Sequence, residues 1–192
     1  VIPVTLNAET VERYIRNVTE AYDRTNNGQR DHGAAWYRVA NQHAYAVGDG
    51  DVKVGAAVIA ALSANKSWSE NLRLATQCRD GQLGGHVRDT LDKVERLYEG
   101  EEPETVLPMG SKTGHFYRCI LDPYDPRPVV IDRHAHDVAV GEIYGNRDRG
   151  LSSAARYDNL RLVYTSAARR LGMIPQVLQA TVWVAHIERK GR

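Results

Sequence analysis

The chain has 192 residues, 42% hydrophobic and 26% charged. These are ordinary values for a folded globular protein, and they exclude disorder as the dominant state. With 25 Lys plus Arg against 24 Asp plus Glu the net charge is +1, which excludes a strongly basic tail but not a local basic face, and two cysteines, Cys78 and Cys119, exclude a disulfide scaffold or a four-cysteine metal centre.

In chain order, Thr10 is expected to cap a helix to about Asp23, with Val11, Tyr14, Ile15 and Val18 on one face. Thr25-Asn26-Asn27-Gly28 reads as a turn, and a second helix is predicted from Gly33 to Tyr45, ending near Gly48-Asp49-Gly50. Val52 to Leu62 is the most apolar stretch and predicts a buried helix, packed closely through Gly55, Ala56, Ala57 and Ala60. A buried strand is the rival reading; length and alanine content favour helix. Ser63 to Ser67 interrupts it, and Ser69 is expected to cap a helix from about Glu70 to Cys78 carrying Leu72 and Leu74. Gly81, Gly84 and Gly85 mark the next break. From His86 to Tyr98, Val87, Leu91, Val94 and Leu97 recur at helical spacing, and Gly100 ends the run.

A further helix starts after Gly110 and runs to Leu121. Asp122 to Ile131 holds three prolines and cannot be helical throughout. Asp132 sits where an N-cap belongs, before a helix to about Tyr144. Two long helices follow near Ser153–Leu171 and Pro175–Glu188, with Pro175 suited to a first turn. At least eight helices and no convincing sheet predict an all-α fold, read as one domain over residues 1–192. One Phe against ten Tyr points to many half-buried, amphipathic positions. No apolar run reaches the roughly 18 residues of a membrane span. Val1-Ile2-Pro3-Val4 lacks the regions of a signal peptide, so the expected location is cytoplasmic, with no membrane partner.

The chemistry-bearing segment is Leu107 to His134. Lys112 lies in the first turn of a helix just after Gly110, and Asp132 follows twenty residues later. A helix N-terminus presents unpaired N–H groups and the positive end of a dipole, which favours a phosphate. The same field disfavours an ammonium, and a lysine held as the neutral amine is a nucleophile. Asp132, ionised at another helix start, can support a cationic sugar transition state. The ordinary readings stand beside these: a surface lysine for Lys112, a plain N-cap for Asp132 and a structural role for His134.

Leu107-Pro108, Gly110-x-Lys112 and Val130-Ile131-Asp132-x-His134 resemble the helix-hairpin-helix DNA glycosylase superfamily, most closely its bifunctional 8-oxoguanine glycosylase/AP lyases. The resemblance implies a two-lobed helical fold with a helix-hairpin-helix near residues 100–140. It also implies base excision through a lysine Schiff base, with oxidised purine as one substrate. Lys112 would be the nucleophile, Asp132 the catalytic aspartate and His134 the structural histidine of the aspartate motif. Gly110 and Ser111 would lie in the phosphate-gripping hairpin, although Leu107-Pro108-Met109-Gly110 is one residue and one glycine short of the family pattern. Leu62-Ser63-Ala64-Asn65 is similar to the duplex-probing loop, with Asn65 entering the space left by the extruded base. Gln179-Ala180-Thr181-Val182-Trp183 resembles the damaged-base pocket, where Gln179 would bond the base edge and Trp183 stack on its face. Each of the two also has a plain reading, a helix terminator for Asn65 and core packing for Trp183.

Double-stranded DNA is the implied partner, a monomer the expected state, and no cofactor or metal is called for. The family's iron–sulfur cluster, where it occurs, needs four cysteines that this chain lacks. Nucleoid association would follow from DNA binding. The histidines show no metal spacing, and His136 and Asp137, being neighbours on a helix, are expected to diverge. Arg147, Arg149, Arg156, Arg161, Arg169 and Arg170 make the C-terminal third basic. They read equally as phosphate contacts, Arg169 and Arg170 above all, or as solvated faces partnered by Asp148 and Asp158. The chain also resembles small proteins of actinobacterial phages, which implies a phage-specific role. The competing expectations are a protein of the same fold that binds DNA or a host protein without chemistry, and a phage enzyme that modifies DNA bases.

Overall fold

The computed structural model describes residues 6–145 and 148–190. The readings of Val1-Ile2-Pro3-Val4 and of Arg147 therefore lie outside the described residues. Ten helices follow in order: α1 (Ala8–Asp23), α2 (Asn27–Val47), α3 (Val52–Ala61), α4 (Trp68–Arg79), α5 (Arg88–Tyr98), α6 (Pro103–Val106), α7 (Lys112–Leu121), α8 (Arg133–Val140), α9 (Ala154–Leu171) and α10 (Pro175–Lys190). The protein is all-α, with no strand among the described residues. None of these helices is long and apolar enough to cross a membrane. The chain divides into two compact units: Arg38–Pro123, and the remainder on either side of it. The boundary falls inside α2.

In the Arg38–Pro123 unit α3 is the hub, packed against α4, α5, α6 and α7. Its residues Ala56 through Ala60 are wholly buried. Small side chains let neighbouring backbones come close, and Gly55 takes this furthest: a Cβ there would stand 1.8 Å from the Ala44 carbonyl oxygen. Polar groups at the helix ends are satisfied across the unit. Asn71 donates to the Ile59 carbonyl at 3.0 Å, Tyr98 to Val47 at 3.1 Å, and Asn41 to the last carbonyls of α7, Ile120 at 2.8 Å and Leu121 at 3.2 Å.

The other unit builds its core from α1, α8, α9 and α10, around Tyr14, Ile15, Val18, Leu160, Val163, Tyr164, Leu178 and Val182. Beside this core lies a buried polar cluster. Arg149 forks onto the Asp137 carboxylate at 2.8 and 2.7 Å. His136 Nδ1 meets Asp137 Oδ1 at 3.0 Å, and Arg156 reaches His136 Nε2 at 3.3 Å. A neutral imidazole protonated at Nδ1 satisfies both of its contacts. The expected divergence of His136 and Asp137 is thus corrected: both side chains lie on the buried flank of α8, where Arg149 holds the carboxylate within reach of the ring. Arg149 and Arg156 are likewise interior residues and not part of a basic face.

Burial drives the His136 imidazole below its usual range, against the raising influence of Asp137. Burial alone would raise the Asp137 carboxyl, but hydrogen bonds from Arg149 and His136 outweigh it and lower that carboxyl. The unfolded chain therefore takes up protons that the native state refuses. Stability should fall as pH drops below about 6.5 through the histidine. It should fall further below about 3.9 as Asp137 is protonated. Melting temperatures across pH 4–8 check this: His136→Gln should flatten the limb between pH 5 and 7, and an unchanged limb would assign it to other groups.

Several helix limits differ from the sequence expectation, each for a local reason. α1 is capped by Asn7, whose Oδ1 accepts from the Thr10 N–H, so Thr10 is the recipient of the cap. α2 starts at Asn27, because Asn26 and Gln29 cap each other reciprocally and bring the supposed turn residues Asn27 and Gly28 into the first helical turn. Ser67, not Ser69, caps α4. The predicted helix to Tyr144 stops at Val140, where Gly141 adopts φ +84° and closes it in the left-handed conformation. The one-turn helix α6, begun by Pro103, had no periodic signal at four residues.

Candidate functional site

The turn at residues 107–111, before Lys112, is held by backbone and side-chain contacts. The Leu107 N–H donates to the Pro103 carbonyl at 2.9 Å and the Ser111 N–H to Pro108 at 3.1 Å. The Ser111 hydroxyl also donates to the Pro108 carbonyl, at 2.8 Å, so it stabilises the turn and leaves the start of α7 without a side-chain cap. Arg118 fastens the second half, donating to the Met109 carbonyl at 3.1 Å. Gly114 lets the first turn of α7 lie on that turn, since a Cβ there would stand 2.3 Å from the Met109 Cα. Gly110 is exposed, with nothing within 4 Å of a Cβ built on it, so an incoming group can approach the backbone there.

Lys112 opens α7 and is half-buried. Four lysine side chains are described. Lys53 pairs with Glu102 and Glu104, Lys66 with Glu70, and Lys93 with Asp89. Lys112 alone among them has no carboxylate partner within the described residues.

Asp132 is the N-cap of α8, as expected. Its Oδ1 accepts from the His134 N–H at 3.0 Å and the Ala135 N–H at 2.8 Å. Oδ2 has no protein partner among the described residues and remains available. Two tyrosines set this position. Tyr157 accepts from the Ile131 N–H at 3.0 Å and donates to the Val129 carbonyl at 2.9 Å, which clamps the extended run into Asp132. Tyr164 donates to the Ala135 carbonyl at 2.9 Å. Full burial drives the Tyr164 phenol well above its usual range, with the Asp132 charge adding to it, so it stays a neutral donor. These tyrosines were not singled out in the sequence; the excess of Tyr over Phe was their only signal.

His134 is half-buried, accepts at Nε2 from Arg133 at 3.2 Å, and stands beside His186 with ring centroids 5.2 Å apart. Gln179 and Trp183 lie one turn apart on α10, as the spacing requires. Gln179 is 4% exposed and accepts from the Tyr37 hydroxyl at 3.1 Å. Trp183 meets Trp36 edge to face at 5.7 Å. Asn65 is the last residue of the turn after α3, exposed and left-handed at φ 57°. Arg169 and Arg170 are exposed at the end of α9. Arg170 is engaged by Glu12 through two contacts of 2.7 Å, and Arg161 pairs with Asp158 at 3.0 Å. No three His, Cys, Asp or Glu side chains converge as a metal site among the described residues.

The profile of one family, described as "Family of unknown function (DUF7178)", matches residues 2–191. No curated protein and no solved structure matches the chain.

Proposed function

The chain belongs to the family of unknown function DUF7178, and for it we propose a DNA base-excision activity with associated AP lyase chemistry, on a two-lobed helix-hairpin-helix scaffold. The observation that carries the reading is Lys112: a half-buried amine at the first residue of a helix, directly after an open hairpin, and without the carboxylate that neutralises each other described lysine. A base is accessible to a protein only after it leaves the stack, so a double-stranded DNA partner must give up the nucleotide before chemistry begins. The Lys112 amine attacks C1′ of the deoxyribose. The C1′–N bond breaks, and the base departs with its electron pair and takes up a proton. The remaining amine proton passes to O4′ as the C1′–O4′ bond breaks, which opens the sugar ring to an imine; loss of a proton from C2′ then expels the 3′-phosphate with its electron pair and cleaves the strand. Asp132, with Oδ1 committed to the helix and Oδ2 available, stabilises the positive charge that develops on the sugar.

Borohydride trapping on duplex oligonucleotides carrying different lesions tests this directly, because a reduced covalent adduct requires an imine. No adduct on any substrate would remove the lyase reading. A second reading, a protein of the same fold that binds without chemistry, draws on Arg170, whose charge is already answered by Glu12. It expects binding without an adduct.

Asp132 separates capping from chemistry. Asp132→Asn retains an oxygen for the two N–H groups and should melt like the parent while losing base release. Asp132→Ala should also lose about 1 kcal/mol of stability with the cap. Full base release by the Asn variant would make Asp132 purely structural. Melts and single-turnover base release measure both.

A further inference from the structure

The C-terminal ends of three helices meet at one groove in the unit outside Arg38–Pro123. One wall is the second half of α1, from Asn17 to Arg24. Another is the end of α8 with Glu142 and Ile143 beyond it, and the third is the end of α10, at His186 and Arg189. The groove encloses about 450 Å³, within the range of small-ligand sites. Its walls are fastened to one another. Asn17 donates to the Ala139 carbonyl at 2.9 Å, which ties α1 to α8. Gly141 keeps that contact open, since a Cβ there would stand 3.0 Å from the Asn17 Nδ2. The His186 ring of α10 stands against His134 of α8, with centroids 5.2 Å apart.

Most charges in the groove cancel. Arg24 pairs with Glu20 at 2.9 Å, and the Asp137 carboxylate is spent on Arg149. Two opposite charges are left over. Arg189 has no carboxylate partner among the described residues. Glu142 meets only the neutral Tyr144 hydroxyl, which donates to it at 3.0 Å. Ala21 and Val138 give the lining an apolar part, and Ile143 lines it while 73% exposed. We propose that this groove binds a small aliphatic zwitterion, with its carboxylate on Arg189, its ammonium on Glu142 and its apolar body against Ile143 and Val138. A free aliphatic amino acid and a short peptide both present this chemistry. The guanidinium fork matches a carboxylate. The ammonium lies near the carbonyl end of α8, where the helix dipole favours a cation. A ligand of a single charge would cover one of the two groups without answering it, which costs free energy. Covering Ile143 adds apolar burial. Neither the site nor its ligand depends on the chemistry proposed for Lys112 and Asp132.

Titration of the full chain, followed by calorimetry and by backbone amide chemical shifts, tests the site. The probes are leucine and the dipeptide Ala-Leu, with leucinamide, which lacks the carboxylate, and 4-methylpentanoate, which lacks the ammonium. At least one zwitterion should bind and shift the amides of residues 137–143 and 186–189. Each singly charged analogue should bind roughly fivefold more weakly, the loss of one exposed ion pair. Arg189→Gln should weaken the zwitterion by a similar factor and leave leucinamide unchanged. Glu142→Gln keeps an acceptor for Tyr144; it should weaken the zwitterion and leave 4-methylpentanoate unchanged. Both variants should melt like the parent. Tighter binding of Ala-Leu would identify a peptide as the source of the zwitterion, and tighter binding of leucine a free amino acid.

Binding of neither zwitterion at millimolar concentration would overturn the proposal. So would equal affinity for leucine, leucinamide and 4-methylpentanoate, since the two charges would then play no part. Zwitterion affinity unchanged in both variants, or shifts confined to residues away from the groove, would overturn it as well.

Discussion

Lys112→Gln should abolish both imine trapping and strand cleavage while leaving the fold intact. The amine is the only group in the proposed site that can form an imine, so no partial activity of that kind is expected. Glutamine retains polarity and much of the side-chain length, and Lys112 has no ion pair among the described residues to lose. The effect on stability should therefore stay within about 0.5 kcal/mol. Borohydride trapping and gel-resolved cleavage of an abasic duplex, with thermal melts alongside, measure the result. Full activity in the glutamine variant would end the Schiff-base reading. Base release that persists without strand cleavage would point instead to a hydrolytic glycosylase using Asp132. Lys93→Gln is the matched control: Lys93 is tied to Asp89 on α5, and its loss should alter neither readout.

Gly55→Ala should be among the most damaging single methyls in the Arg38–Pro123 unit. Alanine is the better helix former by about 1 kcal/mol, so propensity alone predicts a gain. Packing opposes it and wins. The new Cβ would lie 1.8 Å from the Ala44 carbonyl oxygen and 2.8 Å from the Gly48 nitrogen. Those two atoms are joined by a backbone hydrogen bond of 2.9 Å in the last turn of α2. Backbone cannot rotate aside as a side chain can, so either that turn opens or α3 moves off its four neighbours. A loss of about 3 kcal/mol or more is expected, at the upper end of overpacking effects. Urea unfolding measures it. Gly110→Ala is the comparison, since a Cβ there meets nothing within 4 Å, and its midpoint should match the parent. Equal midpoints for all three proteins would mean that α3 and α2 are not in close contact.

The sequence by itself determined the all-α class, the buried character of α3 and the placing of Lys112 and Asp132 at helix starts. These follow from periodicity, from small apolar residues in an unbroken run, and from a capping residue beside a proline-rich segment. All are local, and all survive whatever packs around them. The length of α8 was less legible, because Gly141 is one glycine among 16 and only its positive φ marks it as a stop. Arg149 and Arg156 show what the chain order conceals. Beside Asp148 and Asp158 they read as solvated charges, but Asp137 and His136, distant in sequence, take them into the interior.

The same holds for the candidate site. Spacing put Gln179 and Trp183 on one face of a helix, but the groups that set their orientation, Tyr37 and Trp36, come from the other end of the chain. The clamp on Asp132 likewise comes from Tyr157, 25 positions away. Whether a polar side chain presents a donor or an acceptor depends on which of its atoms are already satisfied. That is a property of tertiary neighbours, as where the Tyr37 hydroxyl donates to Gln179 Oε1.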